Sequence, residues 1–273
     1  MRDILLLTET PRAVAALSYC AALAKRFDAA ITGMHVCERA AVPLDSSPPA
    51  AASMLTAMVQ ERLAHARSAV DELQRWAVHA GIARSSWQIA QGAVPETLAM
   101  AGNWHDVMVL ERDDGTCWGT VNAVGELLLT TGMPVIAVPA GAGVDASLEC
   151  IAVAWNGSPE STRALHAAMP LLRQAKRIVL LRGERRVPFS ALVDPPRFDA
   201  GSYLERHGLD FEQVVLEHVD AHIGEDILQK TIAVHADLLV MGAYGRNRFS
   251  EWLLGGATRL VLREARVPVF LRH

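Results

Sequence analysis

The chain has 273 residues, 51% of them hydrophobic and 21% charged, a globular composition long enough for one large domain or two ordinary ones. Its net charge of −4 provides no global basic field, so nucleic acid and anionic membranes are not expected partners. No apolar run approaches the ~18 residues that span a bilayer, and Met1–Leu7 is too short for a signal segment, so a cytoplasmic location is expected.

In chain order, the first half predicts strands near 3–8, 30–37, 86–91, 106–111 and 134–138. Helices are expected near 11–27, 51–81, 94–103 and 120–131. The second half predicts strands near 150–155, 177–182, 211–217, 237–241 and 267–272, with helices near 159–174, 197–207, 222–235 and 251–265. The runs Ile178–Leu181 and Leu238–Met241 are apolar without alternation, as expected of parallel strands buried on both faces. Pro43–Pro49 and Gly183–Pro196 are irregular, and each follows the second strand of its half; they are lids or solvated connections. Cys20, Cys37, Cys117 and Cys150 form no C-x-x-C pair and are expected to be reduced thiols packed as small hydrophobes.

The two halves repeat one another. Val107–Leu110, a helix and Met133–Val138 correspond to Leu238–Met241, a helix and Val267–Leu271. Ile4–Thr8 followed by Pro11 corresponds to Ile151–Trp155 followed by Pro159, a proline at about the first helical position in each case. The stretch from Pro139 to Ser147, rich in small residues, marks a linker and divides the chain into 1–145 and 146–273. Alternating strands and helices imply a doubly wound parallel sheet in each half, with ligands expected outside the strand C-termini at the topological switch point.

The densest motif lies where such a site is expected. Met241-Gly242-Ala243-Tyr244-Gly245 follows a strand, and Gly255-Gly256-Ala257-Thr258 opens a helix after nine intervening residues. Glycines at such a turn let a ligand reach main-chain N–H groups, and the helix N-terminus favours an anion. This pattern resembles the Gly-x-x-Gly-x9-Gly-(Ser/Thr) nucleotide signature of the universal stress protein family. Ile151–Ser161, Ala236–Gly242 and Val267–Val269 also resemble the family's opening, fourth and last strands. The whole chain resembles a tandem universal stress protein whose first half is diverged. Such a protein would have two tandem Rossmann-like α/β domains with five-stranded parallel sheets. Their last strands, at the sheet edges by position, would pair within the chain as a pseudo-dimer, and further association into a homodimer is expected.

The resemblance implies ATP or AMP, with Mg, at one site in the second half. Adenine and ribose would lie near Asn156 and Leu180–Arg182. The phosphates would lie over Met241, Gly242, Gly245, Gly255, Gly256, Ala257 and Thr258, with Arg246 or Arg248 adding charge. Asn156 stands where the family usually has Asp, which keeps an acceptor without the charge. Gly256 lacks the hydroxyl usual at its position. Valine at Gly242 or Gly255 is expected to abolish nucleotide binding and leave the fold.

The first half has Glu111-Arg112-Asp113-Asp114 after its strand instead, acids that would repel phosphate, and a solvated acidic loop is expected in preference to a cation site. Ser158 is expected to cap a helix, not to act as a nucleophile. His105 is expected at a helix C-terminus and Asp106 at the start of a strand. Trp155 is either the floor of an adenine pocket or a core tryptophan. No nucleophile–base pair is legible, so at most slow ATP hydrolysis is expected, and the chain reads as a ligand-responsive regulator of the stress response. The competing readings are an interaction module acting through protein partners, and a pocket for another small metabolite or an acyl group.

Overall fold

The computed structural model describes residues 1–8, 13–37, 49–116, 118–141, 146–183, 198–217, 222–243 and 255–273. The first half supplies β1 (Asp3–Leu7), α1 (Val14–Phe27), β2 (Ala30–Cys37), α2 (Pro49–His79), β3 (Ser85–Gln91), α3 (Val94–Gly102), β4 (Val107–Arg112), α4 (Val121–Thr131) and β5 (Val135–Pro139). The second supplies β6 (Cys150–Trp155), α5 (Pro159–Ala167), α6 (Met169–Leu172), β7 (Arg177–Arg182), α7 (Ala200–Arg206), β8 (Glu212–Val215), α8 (Ile223–Ala233), β9 (Leu238–Gly242), α9 (Gly256–Glu264) and β10 (Val269–Arg272).

The ten strands form one continuous sheet in the order β3-β2-β1-β4-β5-β10-β9-β6-β7-β8. The two halves are joined through their last strands, the pairing the sequence leads one to expect: at the centre Val269, Phe270 and Leu271 of β10 pair antiparallel with Ala137, Ile136 and Val135 of β5. The last strand of each half therefore lies in the middle, and β3 and β8 are the edges. Apart from this seam, the paired strands among the described residues are parallel.

Side chains of each strand alternate between two buried layers, which is why the central strands carry unbroken apolar runs. Ile4, Leu6, Val153 and Phe270 meet α1, α5, α6 and α7 on one face. Leu5, Leu7, Ala152 and Leu271 meet α3, α4, α8 and α9 on the other. On α2, Ala66, Ala69, Leu73 and Ala77 form the buried stripe. Arg62, Arg67, Asp71, Glu72 and Arg75 lie exposed on the same helix.

One predicted helix is broken. The expected 159–174 helix divides at Ala168 into α5 and α6, with Pro170 in the first turn of α6. Proline there has no N–H to continue the α5 ladder, so a new helical start is the accommodation. The described part of the 251–265 helix is α9, and the expected start at Pro11 and the irregular segment 184–196 lie outside the described residues.

Each half also begins in the same way. Asp106 Oδ2 accepts the Arg2 and Asp3 N–H groups, the former at 2.5 Å and the latter at 3.2 Å. Asp237 Oδ2 accepts the Ser147 hydroxyl at 2.5 Å and the Glu149 N–H at 2.6 Å. An acid before the fourth strand thus ties down the chain entering the first strand in both halves. Cys20 and Cys150 are buried free thiols, and burial raises the pKa of both.

Candidate functional site

In the second half β6 lies between β9 and β7, so its connections leave in opposite directions and the switch point falls between β6 and β9. Ala154 is in register with Met241, and Trp155 with Arg182. The C-terminal ends of three strands therefore bring Asn156, Arg182, Met241 and Gly242 to one rim of the sheet. Arg182 is exposed there, whereas Met241 is buried in the core on the α9 face.

The turn after β6 is built by its own polar groups. Asn156 Oδ1 accepts the Ser158 N–H at 3.1 Å, and Gly157 between them has φ +77°. Ser158 Oγ then accepts the Ser161 N–H at 3.2 Å and caps α5, the role its position predicts. Trp155 belongs to the core on the α5 face, and its indole N–H donates to Thr162 Oγ1 at 3.3 Å. Of the two roles open to it, the structure assigns packing. His105, at the end of α3, bonds through Nδ1 to the Ala101 carbonyl at 2.7 Å, a helix-terminal role.

Gly242 has a structural reason to be glycine. A Cβ there would lie 2.4 Å from Ser161 N and 2.5 Å from Glu160 C, so its missing side chain admits the first turn of α5. The expectation that valine at Gly242 leaves the fold is therefore corrected: the obstacle is backbone, which cannot rotate aside. Gly255 and Gly256 are different. A Cβ at either meets nothing within 4 Å among the described residues.

Gly255 is the N-cap of α9, with no side-chain cap bond. Gly256, Ala257 and Thr258 follow as its first turn, whose N–H groups have no intrahelical acceptor. Gly256 is exposed and Thr258 is buried. The start of α8 packs closely beside this turn, because Gly224 leaves room for Ala257. This arrangement presents donors without an intrahelical partner at the positive end of a helix dipole, a suitable surface for an anionic group. Gly245, Arg246, Arg248 and Tyr244 lie outside the described residues.

The first half treats the same place differently. Leu7 is in register with Leu110 as Ala154 is with Met241, which makes Glu111 the counterpart of Gly242. Its Oε2 accepts the Ala16 N–H of α1 at 3.0 Å. α1 has Ala13 at its N-cap and no side-chain cap of its own. Burial raises the Glu111 pKa, partly opposed by the backbone N–H groups of Ala16 and Ala15, while nearby Asp113 raises it further. Sequence reading sees only repulsion of phosphate in this acid and misses its capping role; the alanine at the N-cap of α1 is the signal that another residue must serve. Asp113 Oδ1 accepts the Gly115 N–H at 2.9 Å as a turn residue. Among the described residues no group of three His, Cys, Asp or Glu is arranged to hold a metal ion.

The architecture is that of an α/β protein with a parallel-dominated sheet between two helical layers. Within it, residues 149–272 match the universal stress protein family, so the second half carries a universal stress protein domain. The fold of the whole chain is similar to that of a universal stress protein from Archaeoglobus fulgidus DSM 4304, with TM-score 0.74, 16% identity, and 99% of this chain and 97% of that one covered. It is also similar to a functionally unknown protein from Pseudomonas aeruginosa PAO1, with TM-score 0.59, 16% identity, and coverage of 100% and 92%. No curated protein matches the sequence. No described helix is long and apolar enough to cross a membrane.

Proposed function

We propose that the chain is a tandem universal stress protein, 1–145 and 146–273, that binds ATP or AMP at one site in its second half and acts as a cytoplasmic stress-response regulator. The observation that supports this most is the glycine-capped first turn of α9. Its Gly256, Ala257 and Thr258 N–H groups follow an N-cap that supplies no side-chain acceptor, in a half that matches the family. The base and ribose would take the rim at Asn156 and Arg182, and the phosphates the Gly255–Thr258 turn. Thr258 would donate its hydroxyl to a phosphate oxygen, and a Mg ion would accompany ATP. Gly242 would contribute by holding α5 against β9. In the first half, Glu111 already occupies the helix N-terminus, so one nucleotide per chain is expected.

Native mass spectrometry with ATP and Mg tests this. One nucleotide per chain, lost in Gly255→Val, is the expected result. Absence of any adduct at millimolar ATP would overturn it. An interaction module is the second reading, supported by the surface of α3 and its following turn. Met100 and Trp104, four residues apart, are 74% and 80% exposed, large apolar groups where solvent-facing residues are usually polar. Under that reading protein partners, not nucleotide, are captured.

A further inference from the structure

We propose that Arg272 and Arg163 form an oxyanion site at the seam between the two halves, on the sheet face opposite α9, which takes a phosphate or carboxylate group. Arg272 ends β10 in register with Gly242 and lies, by alternation from Phe270, on the α5 face. Its Nη1 is buried and has no hydrogen-bond partner. That nitrogen lies 4.0 Å from where a Cβ on Gly132 would stand, so the guanidinium reaches across to the link between α4 and β5. Glycine at 132, with φ +59°, leaves the space open.

Buried guanidinium N–H groups are nearly always paired, because desolvation without an acceptor is costly. Here the nearby charge is of the same sign. Burial lowers the Arg272 pKa, and Arg163, exposed on α5, lowers it further. Neither arginine forms an ion pair among the described residues, and Glu160 in the first turn of α5 bridges to neither. A guanidinium with a buried idle donor beside a glycine, repelled by the like charge of Arg163, defines a place where an anion relieves both desolvation and repulsion. A guanidinium fork matches the oxygens of phosphate and carboxylate alike. Arg163 stands on α5, on the face of the sheet opposite the Gly255–Thr258 turn that opens α9. An anion held there would touch elements of both halves and so would bias how firmly they are joined.

Thermal melting at constant ionic strength, with inorganic phosphate in one series and acetate in another, tests the site. A saturable rise in Tm with either probe is expected, and the stronger probe identifies the source chemistry. Arg163→Ala, at an exposed position, should weaken the midpoint roughly tenfold or more. Arg272→Lys, which keeps the charge but loses the fork, should weaken it as well, whereas Gly255→Val should leave it unchanged. No saturable rise with either probe, an equal rise in Arg163→Ala and Arg272→Lys, or loss of the rise in Gly255→Val would each overturn the proposal.

Discussion

The Glu111 carboxylate accepts the Ala16 N–H at 3.0 Å, and this bond stands where Gly242 lets Ser161 approach in the other half. One position in a repeated framework thus solves the same problem twice. α5 has Ser158 to cap it and needs only room, so glycine suffices. α1 has alanine at its N-cap and takes an acceptor from the neighbouring strand.

Glu111→Ala should therefore lower stability by about 1–2 kcal/mol, the usual cost of a lost helix cap. Glu111→Gln keeps an acceptor oxygen and should lose less. Urea denaturation at neutral pH measures both, and equal stability of wild type and Glu111→Ala would show that the bond is not needed.

The same carboxyl gives a pH dependence of known sign. Its folded pKa lies above the ordinary 4.5, so the folded state holds the proton more tightly than the unfolded state. Its contribution is most favourable below that ordinary value and is lost as pH rises through the folded one. Relative to Glu111→Gln, the wild type should lose stability across that interval. Parallel melting curves over the carboxylate range and just above would contradict this assignment.

Gly242 and Gly255 should separate cleanly. Gly242→Ala forces a methyl group onto the Ser161 backbone and should cost about 1–3 kcal/mol, as overpacking does. Gly255→Ala meets no such obstacle among the described residues and should cost under about 1 kcal/mol. Chemical denaturation of the two variants provides the comparison. A Gly242→Ala protein as stable as wild type would mean that α5 can move away.

Asp237 should matter more than its place at the start of a strand suggests. Its Oδ2 accepts from both Ser147 and Glu149, the residues that lead into β6. Asp237→Ala leaves both donors without this acceptor and should cost about 1–3 kcal/mol. Faster hydrogen exchange at the Glu149 amide would accompany it, and unchanged exchange there would place the loss elsewhere.

Most strands were legible because buried parallel strands leave uninterrupted apolar runs, as in Ile178–Leu181 and Leu238–Met241. The helix break at Ala168 was missed because Pro170 sits inside an otherwise continuous apolar pattern. Asn156 and Arg182 came from the family resemblance, and their places at strand ends bring them to one rim. The two uses of Gly242 and Glu111 were not, because each depends on a helix brought alongside by tertiary packing. Arg272 was hidden for the same reason: its surroundings come from α4, α5 and β5 together.

The antiparallel pairing of β5 with β10 also sets an order of events during synthesis. β10 follows the other described strands, while β5 is the last described strand of the first half. Until the ribosome has released β10, the first half carries Val135, Ile136 and Ala137 on an unpaired apolar edge. Such an edge is a template for pairing with other chains. The nascent first half is therefore the species most in need of a chaperone, and closure of the seam is the step that ends its exposure.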